Sequence, residues 1–174
     1  MKSEIVVLDE REIVLRRVKV GDVKSLQRYI NALVDEDALI TFNEKVTLKE
    51  EKEFVKKLMG RWHVVAEHDG KVVGIVELHP GIGRFSHVFE LGVSVDKGFR
   101  NIGLGQVLTR KAVEMARENK KVKILFLSVF SVNKNAVHVY EKVGFRKVAL
   151  LPKRGFYKGG YIDMIVMDYP LNKI

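Results

Sequence analysis

The sequence predicts an α/β protein built on a mixed sheet, mostly antiparallel with a central parallel pair, flanked by helices. Three observations carry that reading. Two runs rich in β-branched residues, Trp62 to His68 and Val72 to Leu78, meet at Asp69-Gly70, a dipeptide suited to the left-handed positions of a two-residue hairpin turn. Leu104, Val107, Leu108, Ala112 and Met115 fall on one face of a helix. That helix lies between a strand at Val88 to Val95 and an almost wholly apolar run, Lys123 to Phe130, which reads as a strand covered on both faces. Strand, helix and buried strand in succession imply a right-handed crossover and a parallel pair.

Residues 13 to 18 form the first expected strand, and Asp22 stands where it can cap a helix carrying Val23, Leu26, Tyr29, Ile30 and Leu33 on one face. Thr47-Leu48-Lys49-Glu50 has the spacing of a capping box, in which the two side chains satisfy each other's backbone N–H groups. The helix it opens presents Phe54, Val55 and Leu58 and is expected to stop at Gly60. Asn133 to Val143 makes a further helix, closed by Gly144. Phe145 to Leu150 and Ile162 to Tyr169 finish the chain as strands joined by a Gly- and Lys-rich loop. The expected order is β-α-α-β-β-β-α-β-α-β-β. A length of 174 residues suits a single domain over residues 1–174.

With 47% hydrophobic and 30% charged residues, the chain can bury a core. Cysteine is absent, which excludes disulfides, a thiolate nucleophile and thiolate-bound metal. The histidines, His63, His68, His79, His87 and His138, are scattered in sequence without paired ligand spacing, so no metal is expected. No run approaches the roughly 18 to 20 apolar residues of a membrane span. Glu4, Asp9, Glu10 and Glu12 interrupt any signal-like start, and a cytoplasmic protein without a membrane partner is the expectation. A formal net charge of +9 suits an anionic partner or simply solubility. The basic residues are dispersed and not interleaved with aromatics, which gives no support to nucleic acid as the partner.

The most informative segment is Val93-Ser94-Val95-Asp96-Lys97-Gly98-Phe99-Arg100-Asn101-Ile102-Gly103-Leu104-Gly105, where a strand runs into a helix through a glycine-bearing loop. The first N–H groups of a helix lack carbonyl partners, and the helix dipole places partial positive charge there. Gly103 and Gly105 leave room for a phosphate to approach that backbone, and Arg100 adds a full charge. Two competing phosphate motifs fail: a Rossmann fingerprint needs Gly or Ala where Leu108 stands, and no Gly-Lys-Ser or Gly-Lys-Thr occurs for a P-loop.

Arg100-x-x-Gly103-x-Gly105 after a strand resembles the acyl-CoA pyrophosphate loop of the GNAT superfamily of N-acetyltransferases. Asn133-x-x-Ala136-x-x-x-Tyr140-x-x-x-Gly144-Phe145 is similar to that superfamily's next helix. The resemblance implies acetyl-CoA as co-substrate and a primary amine, on a small molecule or a protein N-terminus, as acceptor. Position by position, it implies that backbone groups of Val93, Ser94 and Val95 hold the pantetheine arm and the acyl carbonyl. The loop Arg100, Asn101, Ile102, Gly103, Leu104 and Gly105 would hold the pyrophosphate, Asn133 would bond the arm, and Tyr140 would place its phenol by the thioester sulfur. This chain departs from the family at Asn101, often glycine, and at Lys97, often proline. Asparagine tolerates left-handed backbone better than most residues. The ending Gly160 to Met167 is similar to branches that acetylate protein N-termini, ribosomal-protein alanines or small amines, without choosing among them.

A primary amine of pKa about 10.4 is only about a thousandth neutral at pH 7, so exposing its lone pair costs about 4 to 5 kcal/mol. A base must accept that proton, and Glu90, just before the end of its strand, is the candidate. A backbone N–H of Val93 to Val95 can then stabilise the developing oxyanion, and Tyr140 can protonate the departing thiolate. No metal or covalent enzyme intermediate is required. Two rival readings keep the fold and drop the chemistry: a basic nucleic-acid-binding module, and an acyl-CoA sensor without turnover. The oligomeric state stays open, a homodimer among the possibilities.

Overall fold

A computed structural model of the chain describes residues 2–41, 43–58 and 62–171. In chain order the elements are β1 (Glu4–Leu8), β2 (Arg11–Arg17), α1 (Val23–Asp35), α2 (Leu48–Leu58), β3 (His63–His68), β4 (Lys71–Pro80), β5 (Val88–Val95), α3 (Leu104–Glu118), β6 (Ile124–Phe130), α4 (Lys134–Val143), β7 (Arg146–Tyr157) and β8 (Gly160–Tyr169). The strands form one sheet in the order β1-β2-β3-β4-β5-β6-β8-β7, mostly antiparallel with β5 and β6 parallel, as the sequence predicts. The fold divides into two compact units, Met1–Glu77 with Val93–Leu108 and Leu78–Gly92 with Thr109–Ile174. No helix among the described residues is long and apolar enough to cross a membrane.

In the first unit, β3 and β4 meet at the expected hairpin. Asp69 (φ 48°) and Gly70 (φ 72°) are both left-handed, and His68 stands opposite Lys71. Leu26, Tyr29 and Leu33 of α1 and Val55 of α2 pack with Val65, Val72 and Ile75 of the hairpin in one apolar cluster. Helical spacing puts these side chains on one stripe of each helix, and their burial holds both helices to the sheet. α2 opens on the expected capping box: the Thr47 N–H donates to Glu50 Oε2 (2.8 Å) and the Glu50 N–H to Thr47 Oγ1 (3.3 Å). The expected stop at Gly60 and the side chain of Leu58 lie outside the described residues.

Two expectations are corrected in this unit. A strand, β1, precedes the one expected at residues 13 to 18 and pairs with it through a two-residue turn. Asp9 (φ 49°) and Glu10 (φ 62°) fill the left-handed positions that Asn and Gly usually mark, so the turn has no conspicuous sequence signal. Nor does the Asp22 side chain cap α1. Its carboxylate accepts two hydrogen bonds from the Arg16 guanidinium (2.7 and 2.8 Å) and one from the Lys19 N–H (2.7 Å). A guanidinium fork is a stronger partner for a carboxylate than a helix N–H. Glu67 takes the Arg16 Nε–H at 2.6 Å, so a largely buried cation lies between two anions.

In the second unit, Val88, Phe89 and Glu90 of β5 stand beside Ile124, Leu125 and Phe126 of β6, and β8 runs antiparallel to both β6 and β7. β6 is less enclosed than its composition suggests: Leu125, Leu127 and Val129 are buried, while Ile124, Phe126, Ser128 and Phe130 on the other face are half-buried. The expected loop between the last two strands is mostly strand. β7 runs on to Tyr157 and turns tightly through Lys158 and Gly159 (φ 49° and 79°), with Tyr157 opposite Gly160. An irregularity between Leu151 and Gly155, with Lys153 left-handed, accommodates Pro152. β7 is an edge strand, where a missing N–H can go without a ladder partner.

Burial alone would push the Asp22 carboxyl up, but hydrogen bonds from Arg16 and the Lys19 N–H outweigh it and hold the group below its ordinary range. Asp22 therefore contributes stability above the normal carboxylate pKa, and that contribution is lost as pH falls through the lowered value. Asp22→Ala is expected to cost about 3 kcal/mol at pH 7 in urea unfolding. The gap between wild type and variant should shrink in strongly acidic solution; an equal gap at all pH values would rule out the ion pair as its source.

Candidate active site

β5 reaches α3 through a loop braced on several sides by its own unit. The Asp96 N–H bonds the Val73 carbonyl (2.9 Å), and Asp96 Oδ1 accepts from the Gly98 N–H (2.8 Å). Arg11 Nη1 donates to the Gly98 carbonyl (2.7 Å), and the same guanidinium lies 5.0 Å from the centre of the Phe99 ring. Beyond this, Asn101 (φ 63°) and Gly103 (φ 92°) swing the chain into α3 through left-handed backbone. Asn101 thus adopts the conformation that its side chain tolerates and the family's glycine would adopt freely.

The N–H groups of Gln106 and Val107 close on the Gly103 carbonyl (3.0 and 3.1 Å), so α3 starts immediately after the left-handed turn. A Cβ added to Gly103 would meet only Leu8 Cδ2, at 4.0 Å, which leaves open space above the loop. At Gly74 the reverse holds: a Cβ there would come within 2.9 Å of Leu108 Cδ1 and 3.3 Å of the Ser94 carbonyl. The bare backbone of β4 therefore lets α3 sit close, and the helix start is fixed where an anion can meet its dipole.

The strand end Val93, Ser94 and Val95 is half-buried. Ser94 Oγ accepts a hydrogen bond from the Tyr29 phenol (2.8 Å), which ties α1 to it. Arg100 is placed differently from the simple expectation of a charge at the mouth of the loop. Its Nη1 donates to Glu36 Oε2 (3.3 Å), its Nη2 makes a closer contact with Glu36 Oε1, and its Nε donates to the Val95 carbonyl (3.0 Å). Glu36 therefore offsets part of the arginine's charge.

In the second unit, Asn133 caps α4, its Oδ1 accepting from the Ala136 N–H at 3.2 Å. Gly144 (φ 112°) ends the helix, and its N–H and that of Phe145 return to the Tyr140 carbonyl at 3.1 and 3.0 Å. Tyr140 is buried, its ring 6.0 Å from that of Phe145. Burial pushes its phenol up to about 12, so it remains a proton donor throughout the neutral range. Glu90 is half-buried on β5 between the buried Phe89 and Leu91 and stands beside Phe126.

The structure adds two carboxylates and a histidine of the first unit that the sequence did not single out. Glu51 is only 2% exposed, on the same face of α2 as Val55 one turn later, and its Oε1 has no hydrogen-bond partner among the described residues. Burial, and then the negative charge of Glu77, push its carboxyl up to about 7. Glu77 is half-buried on β4, two residues beyond the core residue Ile75, with the buried His63 opposite it on β3. The phenol of Tyr29 also feels Glu77: burial pushes it well above its usual range, and the charges of Asp96 and Glu77 push the same way. A carboxylate three and four residues before Phe54 and Val55, on an apolar stripe, is the sequence signal that could have found Glu51.

Comparison with known proteins agrees with this geometry. The model of the Acetyltransferase (GNAT) family matches residues 30–145, and the chain belongs to that family. An L-amino acid N-acetyltransferase of Escherichia coli is 35% identical over 108 residues, covering 60% of this chain and 65% of that protein. This chain therefore spans just under two thirds of that relative. An N-alpha-acetyltransferase of Sulfurisphaera tokodaii is 32% identical over 117 residues, covering 62% of this chain and 68% of that one. Among solved structures, a GNAT-family acetyltransferase of Streptococcus pneumoniae superposes with a TM-score of 0.83 at 27% identity, covering 90% of this chain and 98% of that one.

Because the Glu51 carboxyl is raised in the folded state, its contribution to stability is fully present below its ordinary value of 4.5 and is lost as pH rises through about 7. Titratable groups on the elements that share the apolar cluster with α2 include Tyr29 on α1, His63 on β3 and Glu77 on β4. Glu51→Gln is expected to remove the decline in thermal stability between these pH values and to melt higher than wild type at pH 8. Parallel melting curves for the two proteins across that range would overturn the placement of Glu51 in a dry pocket.

Proposed function

We propose that this protein transfers an acetyl group from acetyl-CoA to a primary amine, by direct attack of the amine on the thioester, in the cytoplasm. The observation that carries the proposal is the passage from β5 to α3. Left-handed backbone at Asn101 and Gly103 and open space above Gly103 give a diphosphate a place at the start of a well-anchored helix. The names of the Escherichia coli and Sulfurisphaera tokodaii relatives support the reading.

Acetyl-CoA supplies the activated acyl group. The backbone from Arg100 to Gly105 holds its pyrophosphate, Val93, Ser94 and Val95 align the pantetheine arm, and Asn133 bonds that arm. The acceptor arrives as an ammonium ion and must lose a proton first. Two half-buried strand carboxylates, Glu90 and Glu77, are the candidates to take it, directly or through a water. Glu77 has the more telling surroundings, since its charge helps to raise the carboxyl of the buried Glu51. The neutral nitrogen attacks the thioester carbon while a backbone N–H of the Val93 to Val95 segment meets the charge growing on oxygen. As the C–N bond forms and the C–S bond breaks, the electron pair leaves on sulfur, and the protonated phenol of Tyr140 is its donor.

Gly105→Glu puts a carboxylate in the place of a phosphate, and calorimetry should detect no acetyl-CoA binding; unchanged affinity would sink the loop assignment. Tyr140→Phe should keep acetyl-CoA affinity and lower kcat by about 10²-fold, read as thiol release. Full turnover by that variant at every pH would remove Tyr140 from the chemistry. Comparison of Glu77→Gln with Glu90→Gln identifies the base as the residue whose loss flattens the alkaline rise of kcat/KM.

A further inference from the structure

We propose that the β3–β4 hairpin carries a zinc-type divalent metal site formed by His63, Glu77 and His79, and that filling it inhibits acetyl transfer. The site stands on the geometry of the hairpin, while its inhibitory role rests on the reading of Glu77 as a candidate base. His63 pairs with Glu77 across the ladder, and paired residues project from the same face of a sheet. Glu77 and His79 are two apart on β4, so their side chains share that face while the buried Leu78 points to the other. Each of the three brings one donor atom to the cluster, and these atoms all lie within 4.8 Å of one another. Positions 63 and 79 are distant in the chain, and the Asp69-Gly70 turn is what folds them together.

Donors bound tetrahedrally to zinc lie about 3.3 Å apart, because its bonds to nitrogen and oxygen are about 2.0 to 2.1 Å long. Closing from 4.8 Å asks for about 1.5 Å at most, within reach of side-chain rotation. Two imidazoles and a carboxylate suit zinc, whereas magnesium and calcium take oxygen ligands. Burial grades across the site, with His63 buried, Glu77 half-buried and His79 exposed. An ion therefore has an entry beside His79, and three protein ligands leave a position for water. All three ligands sit on strands, which hold a ligand set more precisely than loops do. Coordination occupies the carboxylate lone pairs that proton transfer needs, and the ion's charge repels an incoming ammonium. The transfer reaction itself uses no metal.

The test titrates zinc chloride into tag-free protein stripped of metal, followed by calorimetry. Wild type should take up one zinc ion per chain. His79→Ala removes a ligand at the exposed end of the site, where the fold is least at stake, and Glu77→Gln removes the charged one. Each should weaken zinc binding at least about tenfold, with the melting of the metal-free proteins compared to check the fold. Absence of zinc binding by wild type, or wild-type affinity in either variant, would overturn the site. With acetyl-CoA and an amine that the metal-free protein acetylates, one equivalent of zinc should lower turnover about tenfold or more, and a chelator should restore it. Turnover is read as amide product, because zinc also binds free thiol. Undiminished turnover by the zinc-loaded protein would overturn the inhibitory role. Failure of the metal-free protein to acetylate any amine would instead overturn the acyl-transfer reading, and the inhibitory role with it, while the calorimetry still decides the site.

Discussion

The site depends on a backbone constraint: the chain must leave β5 and enter α3 within a few residues while presenting the start of that helix to open space. Left-handed conformations at Asn101 and Gly103 make the turn possible. They would define little if the turn could drift. It is held by the Asp96 N–H on the Val73 carbonyl, by Arg11 on the Gly98 carbonyl and by Arg100 on Glu36, all within one unit. Each brace comes from a different element, so the position of the helix start is a property of the unit and not of the loop alone. Gly74 contributes by omission, since a Cβ there would crowd Leu108 Cδ1 of α3 and the Ser94 carbonyl of β5.

The same unit handles buried charge in two opposite ways. Arg16, Asp22 and Glu67 satisfy one another with short hydrogen bonds, and the result is a fixed support beneath α1. Glu51 Oε1 has no such partner among the described residues, and burial, then the charge of Glu77, disfavours ionisation of Glu51. A neutralised network stabilises and then stays silent. A buried carboxylate whose ionisation is disfavoured instead makes stability depend on pH.

Much of the architecture was legible because local chemistry and tertiary structure agree. Asp69-Gly70 makes the turn its residues favour, Thr47 and Glu50 form their capping box, and Asn133 and Gly144 bracket α4. Where local chemistry was mute or outbid, the reading failed. Asp9 and Glu10 occupy left-handed positions without a Gly or Asn to announce them, so β1 was missed. Asp22 had the look of a cap, but a guanidinium from a neighbouring strand took its oxygens. β7 outran its expected end because pairing with β8 orders a segment that composition marks as loop.

The sequence by itself determined the mixed sheet, the parallel β5–β6 pair, the glycine-bearing entry to α3 and the family, because these follow from periodicity and from residues whose backbone preferences act over a few positions. Only tertiary structure decided that Arg100 is held by Glu36, that Tyr29 bonds Ser94, and that the buried Glu51 feels the charge of Glu77. Those partners lie 64, 65 and 26 residues apart in the chain. Charge interaction and desolvation depend on distance through space and on what displaces water, and neither quantity can be read along a chain.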